Sequence, residues 1–410
     1  MEDSKIITKT QKHELWTILQ KAPKPQLHLH LDGSLPYDFI LKSAKRLQIR
    51  KPDEVIFEKN WEPKDEEELF QWLAKISSED VQSHFEAKNC DNWRAFNFCN
   101  KFLQTKEDLV EATFDILCRS SVEHNINYLE IRFAPILHKL EGLKEREIVH
   151  AVIEGFEKGV SHLKGLGRNI DGGLILCALR SFPVSDAIDL VKFMSEMKHD
   201  RVLAFDIAGD EGSYPLNGFK EVLELAKQYD IDMTIHAGEW SEKICDSIID
   251  NLKLAVTVGA KRIGHGLALR SVKDDDEIIM NLQAKKISVE VNITSNVTNP
   301  RNVASFKEHP LPMFLKRNIR IAGLNVDNWL LAGNKDIGRA EPTGEYTRVF
   351  LDCSVTPQQL SQIFESGYRA AFKKMDEKVV NDSMKIWIEE IIPQMESWKN
   401  SLKYNDFHQT

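Results

Sequence analysis

The chain has 410 residues, 42% of them hydrophobic and 29% charged, which is enough for one large domain or two ordinary ones. Its formal net charge of -9 argues against a general nucleic-acid binder, because such a protein needs a basic face. The sequence has no run of about 18 apolar residues, no apolar signal core after Met1 and no C-x-x-C pair among its six cysteines, so we expect a cytoplasmic protein with free thiols and no membrane partner.

Short apolar or β-branched segments recur along the chain, and amphipathic helical stretches such as 147–164, 185–198 and 218–228 lie between them. Strands that alternate with helices predict an α/β protein, and eight such strands predict a (β/α)8 TIM barrel. A single doubly wound sheet is the alternative. The predicted strands are 26–30, 128–133, 173–179, 202–207, 232–236, 262–265, 287–291 and 319–324.

About a hundred residues separate the first two predicted strands, and the segment 36–127 is mostly helical and charged. We therefore expect a helical insertion after strand one, with part of it over the barrel mouth and Trp61, Trp72 and Trp93 packing it as a unit. Helices on the barrel flank are the alternative. Two C-terminal helices are predicted at 356–375 and 385–402, followed by a disordered tail at 404–410. The whole chain, 1–410, is predicted to be one catalytic barrel domain.

Four segments far apart in sequence end in metal-ligand or acid/base residues, and each lies at the C-terminal end of a predicted strand: 26–30 (QLHLH), 236–239 (HAGE), 264–266 (GHG) and 325–328 (NVDN). His28 and His30 lie on one face of a strand, because strand side chains alternate. Two adjacent imidazoles form half of a divalent-metal site, although strand histidines with local partners are the alternative. Function in a barrel resides at the carboxyl ends of the strands, where all four segments fall.

The later segments supply the remaining candidates for metal binding and proton transfer. Glu239, three residues after His236, is placed for proton transfer, or else is a solvated turn carboxylate. His265 lies between two glycines, which favours an exposed, working imidazole over a core one. Asp327 ends a mostly apolar run, so its carboxylate needs a cation or strong hydrogen bonds, with turn capping as the alternative.

Five segments, in this order, resemble the signatures of the adenosine deaminase family of zinc-dependent aminohydrolases: PKPQLHLHLDGSL (23–35), YLEIRFAP (128–135), AGDE (208–211), HAGE (236–239) and RIGHG (262–266). The resemblance runs from about residue 23 to about residue 372 and implies the same barrel. It also implies one zinc ion per chain, bound by His28, His30, His236 and Asp327. Such an ion acidifies a water molecule, which His265 would orient or deprotonate.

The resemblance further implies how a small-molecule purine nucleoside would bind. Protonated Glu239 would donate to purine N1, Gly209 would offer its N–H to purine N3, and Asp32 would bind the ribose 5′-hydroxyl. His30 and Asn328 would complete the substrate contacts. The implied reaction is deamination of adenosine or 2′-deoxyadenosine to inosine or 2′-deoxyinosine with release of ammonia.

The residue at position 32 bears on substrate choice, since family members acting on nucleosides tend to carry Asp there. Those acting on free adenine tend to carry Glu, and those acting on N6-methyl-AMP tend to carry Asn. Two departures from the family pattern stand out: Asn328 replaces the usual second acid, and the segment 290–296 lacks the frequent Cys-Pro. Deamination of another 6-aminopurine, another metal-dependent hydrolysis, and a catalytically silent adenosine-binding relative are the alternatives.

Overall fold

The computed structural model describes residues 7–57, 61–87, 93–240, 247–299 and 301–404. Its centre consists of eight parallel strands that follow one another in chain order, in two four-stranded sheets, β1-β2-β3-β4 and β5-β6-β7-β8. The strands are β1 Lys24–His30, β2 Ile126–Phe133, β3 Asp171–Leu179, β4 Val202–Ala208, β5 Thr234–Ala237, β6 Arg262–His265, β7 Ser288–Val291 and β8 Arg320–Leu324.

Isolated bridges join the two sheets at both edges. At one seam Phe205 pairs with Met233, and the Phe205 N–H donates to the Asp232 carbonyl at 2.8 Å. At the other seam Leu29 pairs with Asp327, which lies three residues beyond β8. The predicted (β/α)8 barrel is therefore confirmed, and the doubly wound alternative is wrong.

Each predicted strand matches an observed strand, with ends that differ by at most two residues. The strands are easy to recognise because a parallel sheet is covered on both faces, so its strands read as continuous apolar runs. In β3, for example, all residues between Asp171 and Leu179 are buried. The small hairpin of β9 Gly333–Asn334 and β10 Gly338–Arg339 was not predicted.

Four helices lie between β1 and β2, so the predicted helical insertion is also confirmed. Within it, the Trp61 and Trp72 rings are 5.1 Å apart, and Trp72 contacts Phe98 edge-on at 4.9 Å. Trp93 contacts Phe96 at 5.9 Å. The insertion helices are α2 Tyr37–Arg50, α3 Glu66–Ala87, α4 Arg94–Asn100 and α5 Lys106–His124, and α1 Lys9–Lys21 precedes β1.

The remaining helices cover the outside of the barrel and its C-terminal end. They are α6 Glu145–Gly165, α7 Val184–Met197, α8 Lys220–Gln228, α9 Ile248–Val258, α10 Glu277–Ala284, α11 Ile293–Thr298, α12 Leu311–Lys316, α13 Pro342–Asp352, α14 Pro357–Ala370, α15 Glu377–Ile386 and α16 Ile392–Tyr404. α14 packs across β8 and β1 and so covers the second seam.

The C-terminal helices differ from the prediction in their bounds. α14 ends five residues early, because Ala371 leaves the helical region of backbone conformation with a ψ of 135°. α15 then begins at Glu377, where the Asp376 side chain accepts the Lys378 N–H and caps the helix. A π-helical turn, Trp387–Ile391, connects it to α16. Residues 405–410 of the predicted tail lie outside the described residues.

Cys99, Cys118, Cys177 and Cys353 are free thiols, while Cys90 and Cys245 lie outside the described residues. Among the helices that the structure describes, none combines the length and the apolar character that crossing a membrane requires.

Candidate metal centre and active-site cavity

Imidazole nitrogens and one carboxylate meet at the carboxyl ends of the strands. Asp327 Oδ1 lies 3.2 Å from His28 Nε2 and 3.4 Å from His30 Nε2. His30 Nε2 is in turn 3.3 Å from His236 Nε2. One potential ligand atom from each of His28, His236, His265 and Asp327 falls within 4.8 Å of the others. The structure thus brings together every predicted metal ligand and His265.

The backbone at this cluster is held in an uncommon conformation. Asp327 and His265 have φ values of 64° and 63°, in the left-handed region that costs a residue with a Cβ of order 1 kcal/mol or more. For Asp327, the adjoining strand holds this conformation: its N–H donates to the His28 carbonyl at 2.9 Å, and its carbonyl accepts the His30 N–H at 2.8 Å. The main chain of β1 therefore fixes the carboxylate beside both histidines of that strand.

The donor set fits a divalent metal ion. Imidazole nitrogen and carboxylate oxygen are ordinary zinc ligands. Within the part of the chain that the structure describes, buried His28 Nε2 has no hydrogen bond of good geometry, although Asp327 Oδ1 is close. A buried polar atom left in that state is costly, and a cation between the two groups would satisfy both.

Two buried carboxylates hold the histidines from behind. Glu290 Oε2 lies 2.6 Å from His28 Nδ1, and Asp206 Oδ2 lies 2.9 Å from His236 Nδ1. A neutral imidazole that donates from Nδ1 leaves Nε2 free as a ligand, so both carboxylates favour the tautomer that a metal requires. Sequence reasoning assigned no role to Asp206 or Glu290; the available signal was an acid within each apolar strand.

Arg132 bridges these two carboxylates at the bottom of the site. Its guanidinium donates to Asp206 Oδ2 at 2.8 Å and to Glu290 Oε2 at 2.9 Å, and all three side chains are fully buried. Burial alone would raise the pKa of Glu290, but Arg132 and Arg262 hold that pKa well below its usual value. Both carboxylates are therefore ionised, and the arginine keeps them so.

We expect Arg132→Met to lower the free energy of unfolding by about 3–5 kcal/mol, because it leaves buried Asp206 without its arginine partner and buried Glu290 with Arg262 alone. Chemical denaturation at fixed metal concentration would measure this. Arg369→Met, which removes the surface pairs with Glu365 and Glu377, is the control and should change stability far less. Equal effects in the two variants would contradict a supporting role for Arg132.

His265 is buried, with 1% of its surface exposed, so the expectation of an exposed imidazole is wrong. Asn292, at the start of α11, and Asn296, within α11, pack on it instead. Burial lowers the pKa of His265 well below the usual value, so the ring is neutral. Its Nε2 faces the cluster, 3.7 Å from Glu239 Oε1 and 3.9 Å from Asp327 Oδ2.

Glu239 occupies the turn after β5, and a second acid holds that turn in place. The Glu211 carboxylate accepts the Gly238 N–H at 2.8 Å and the Glu239 N–H at 3.0 Å. Burial raises the pKa of Glu239 to about 8, and the nearby Asp327 carboxylate contributes to the rise. Glu239 is thus a protonated acid at neutral pH. Sequence reasoning gave Glu211 no role, although it lies in the AGDE segment.

A cavity of about 500 Å³ opens above the cluster, and Asp32, Gly209, Glu239 and Asn328 all line it. The insertion forms one of its walls. The wall residues from α3, α4 and the chain before α4 are Ser77, Asp80, Trp93, Ala95, Phe96, Asn97 and Asn100. The structure therefore places every predicted substrate contact in one cavity with the histidine cluster.

Asp32 and Gly209, two predicted substrate contacts in the cavity wall, have different surroundings. Asp32 Oδ2 accepts a hydrogen bond from Asn100 Nδ2 at 3.2 Å, which joins β1 to the insertion. Burial raises the pKa of Asp32 to about 6, while this hydrogen bond acts against the rise. Gly209 has a φ of 102°, so its backbone conformation, rather than lack of space, excludes a side chain.

Asn328 packs against the turn after β1. A Cβ atom at Gly33 would lie 1.8 Å from Asn328 Oδ1, so only glycine leaves room for this amide. Among the described residues, the buried Oδ1 atom has no hydrogen-bond partner. The amide oxygen is turned toward Gly33, which leaves Nδ2 as the end that faces the cavity.

Fold and site together define a (β/α)8 barrel with a His/Asp cluster that fits a divalent metal ion at the carboxyl ends of its strands. The sequence model of the adenosine deaminase family matches residues 23–381, most of the chain. An adenosine deaminase from Clostridium kluyveri is 31% identical over 360 residues, which are 88% of this chain and 92% of that protein. The chain belongs to the adenosine deaminase family, as the sequence motifs predicted.

Solved structures share the fold at lower identity. An amidohydrolase from Burkholderia ambifaria with bound Zn superposes with a TM-score of 0.73, at 19% identity and over 97% of both chains. Arabidopsis ADAL complexed with IMP superposes with a TM-score of 0.69, at 20% identity, over 92% of this chain and 98% of that one.

Proposed function

We propose that this protein is a zinc-dependent aminohydrolase that converts adenosine or 2′-deoxyadenosine, with water, to inosine or 2′-deoxyinosine and ammonia. The observation that carries the proposal is the position of Glu239, a half-buried acid whose Oε1 lies 3.7 Å from His265 Nε2, at the edge of the His/Asp cluster. The pKa of Glu239, raised to about 8, agrees with a role as proton donor. Curated relatives named adenosine deaminase cover most of the chain and support the same reaction.

The metal would be held by His28, His30, His236 and Asp327. Zinc supplies, when bound, an acidified water molecule as the nucleophile. A donor set of three imidazoles and one carboxylate supports zinc, and a solved structure of the same fold carries bound Zn. Glu290 and Asp206 hold two of the imidazoles with Nε2 toward the metal, so the ligands need no rearrangement on binding.

Glu239 would act as the general acid. Its carboxyl proton moves to purine N1 while the oxygen of water adds to C6, which relieves negative charge on the ring. The added water supplies two protons: one passes to the amino group, so that the C6–N bond breaks, ammonia leaves and a C6 carbonyl forms, and the other restores the Glu239 carboxyl. His265 and Asp327 line the side from which water approaches and would orient it.

Four cavity residues would recognise the nucleoside. Asp32 would accept the ribose 5′-hydroxyl hydrogen bond, with Asn100 holding its other side. Gly209 would offer its backbone N–H to N3, and Asn328 would donate from Nδ2 to N7, which is an acceptor. His30 would contact the substrate beside the metal. Asp at position 32 supports a nucleoside over a free base or an N6-methylated nucleotide.

We expect Asn328→Asp to introduce a pH dependence into KM. An amide donates to N7 at any pH, whereas a carboxyl group donates only while protonated, so KM of the variant should rise by about tenfold as the new carboxyl loses its proton. The ratio of variant to wild-type KM, measured from acidic to alkaline pH, cancels the titration of other groups. A ratio that stays constant with pH would rule out the N7 contact.

The function itself is tested by following formation of the 6-oxopurine from adenosine, 2′-deoxyadenosine, adenine, AMP and N6-methyl-AMP with purified, zinc-loaded protein; the first four would also release ammonia, and N6-methyl-AMP would release methylamine. Turnover of the nucleosides alone supports the proposal. Turnover of another member keeps the chemistry and overturns the role given to Asp32. Tight adenosine binding by calorimetry without any turnover would instead support the silent relative.

A further inference from the structure

A line of hydrogen bonds runs from His265 away from the cavity and ends at a backbone amide. Asn296 Nδ2 lies 2.8 Å from His265 Nδ1, and Asn296 Oδ1 lies 3.0 Å from His309 Nε2. The Leu311 N–H donates to His309 Nδ1 at 3.1 Å. His265, Asn296 and His309 are at most 3% exposed, so water does not compete for these contacts.

The backbone amide fixes the direction of the whole line. An amide N–H can only donate, so His309 Nδ1 accepts and carries no proton. Burial lowers the pKa of His309 to about 3, so the ring is neutral and its single proton is on Nε2. His309 therefore donates to Asn296, which must present its oxygen to His309 and its NH₂ group to His265.

The same logic assigns the proton on His265. Because Asn296 donates to Nδ1, the neutral ring of His265 carries its proton on Nε2, the atom that faces Glu239 and Asp327. Asn292 Nδ2 does not compete, since it lies 3.3 Å from both ring nitrogens and thus over the face of the ring.

We propose that Asn296 and His309 are positioning residues that hold His265 as the Nε2-protonated tautomer, so that it offers a hydrogen-bond donor to the space between Glu239 and Asp327. The proposal rests on the proposed function for its catalytic consequence. The sequence predicted that His265 either orients or deprotonates the water molecule. The Nε2-protonated tautomer can orient water by donating a hydrogen bond, but its Nε2 cannot accept a proton.

Nitrogen-15 NMR of histidine-labelled, zinc-loaded protein tests the tautomer without turnover, with His265→Gln used to assign the signal. We expect the proton of His265 on Nε2 in the wild type and on Nδ1 in Asn296→Asp, because a carboxylate in that place can only accept. A wild-type ring protonated on Nδ1, or bound to zinc through Nε2, would overturn the proposal.

Steady-state kinetics test whether the tautomer of His265 matters for catalysis. His309→Asn and Asn296→Asp should lower kcat by about 10–100-fold with a much smaller change in KM. His309→Gln, whose amide can replace the Nε2 donor, should recover most of kcat. Unchanged kcat in His309→Asn and Asn296→Asp, with folded, zinc-loaded protein, would overturn the positioning role. A wild type without deaminase activity would remove the proposed function but leave the NMR result to decide the tautomer.

Discussion

Replacing Glu239 by Gln is expected to reduce kcat by about 10²–10⁴-fold, the usual contribution of a positioned general acid. Glutamine has the same shape and can still form hydrogen bonds, but it holds no transferable proton. The main-chain contacts that place the turn are untouched, because Glu211 accepts the N–H groups of Gly238 and of residue 239 itself. Zinc content and the thermal midpoint should therefore stay at their wild-type values.

The pH dependence of activity tests the role of Glu239 as general acid a second time. Burial raises the pKa of Glu239 to about 8, so the acid is protonated below that pH and ionised above it. Activity that depends on the protonated form should be present at neutral pH and lost as pH rises through about 8. This alkaline limb should be absent from the residual activity of the Gln variant.

Glu224→Gln makes the same chemical change on the exposed face of α8, where Glu224 lies 3.9 Å from Lys220, and is the matched control. It should leave kcat and the pH profile unaltered. If Glu239→Gln retains turnover near the wild-type level, the proton on N1 comes from another group, and the assignment of Glu239 is wrong.

Replacing Asp327 by Ala is expected to weaken metal binding by more than about 100-fold, since loss of even an outer partner of a ligand costs 10–100-fold. Its buried carboxylate lies beside both His28 Nε2, at 3.2 Å, and His30 Nε2, at 3.4 Å, and supplies the negative charge among the four proposed ligands. Metal analysis after dialysis, and titration with zinc, would measure the change directly. Turnover should fall in parallel with bound metal.

Two companion variants separate ligand loss from backbone effects. Asp327→Asn tolerates the left-handed φ of 64° but lacks the carboxylate charge, so it should also bind metal weakly. Ser295→Ala removes only the 2.6 Å hydrogen bond to Asp327 Oδ2 and should cost less than either. Wild-type metal stoichiometry in both Asp327 variants would show that this carboxylate is not a ligand.

The sequence predicted site residues well where metal-ligand side chains recur at the two-residue spacing of a strand. His28 and His30 could be predicted as a pair because alternation along one strand is a local property. Burial of His265 could not, since the side chains that cover it come from segments about 30 residues further along the chain. The contact between His28 and Glu290 spans 262 positions of sequence, and no pattern near either residue predicts it.

The position of an acidic residue relative to the strand end explains whether the sequence predicted it as a functional residue. Glu239 and Asp327 follow strands, in the positions where a barrel carries its function, and so drew attention. Asp206 and Glu290 lie inside strands, where an acid becomes meaningful only once its partners are known. Arg132, on a third strand, is the partner of both, and only the assembled barrel brings the three together.

The seam between β1 and Asp327 has a consequence for how the protein acquires its metal. The carboxylate is held by main-chain hydrogen bonds to residues about 300 positions earlier, so the site is complete only after the end of the barrel docks on its beginning. A nascent chain that already contains His28, His30 and His236 still lacks Asp327, the fourth proposed ligand. Contacts of such long sequence separation form late, because closing a long loop costs entropy before it brings stability. Metal capture would therefore be a final event of folding, and bound zinc would stabilise the closed ring by mass action.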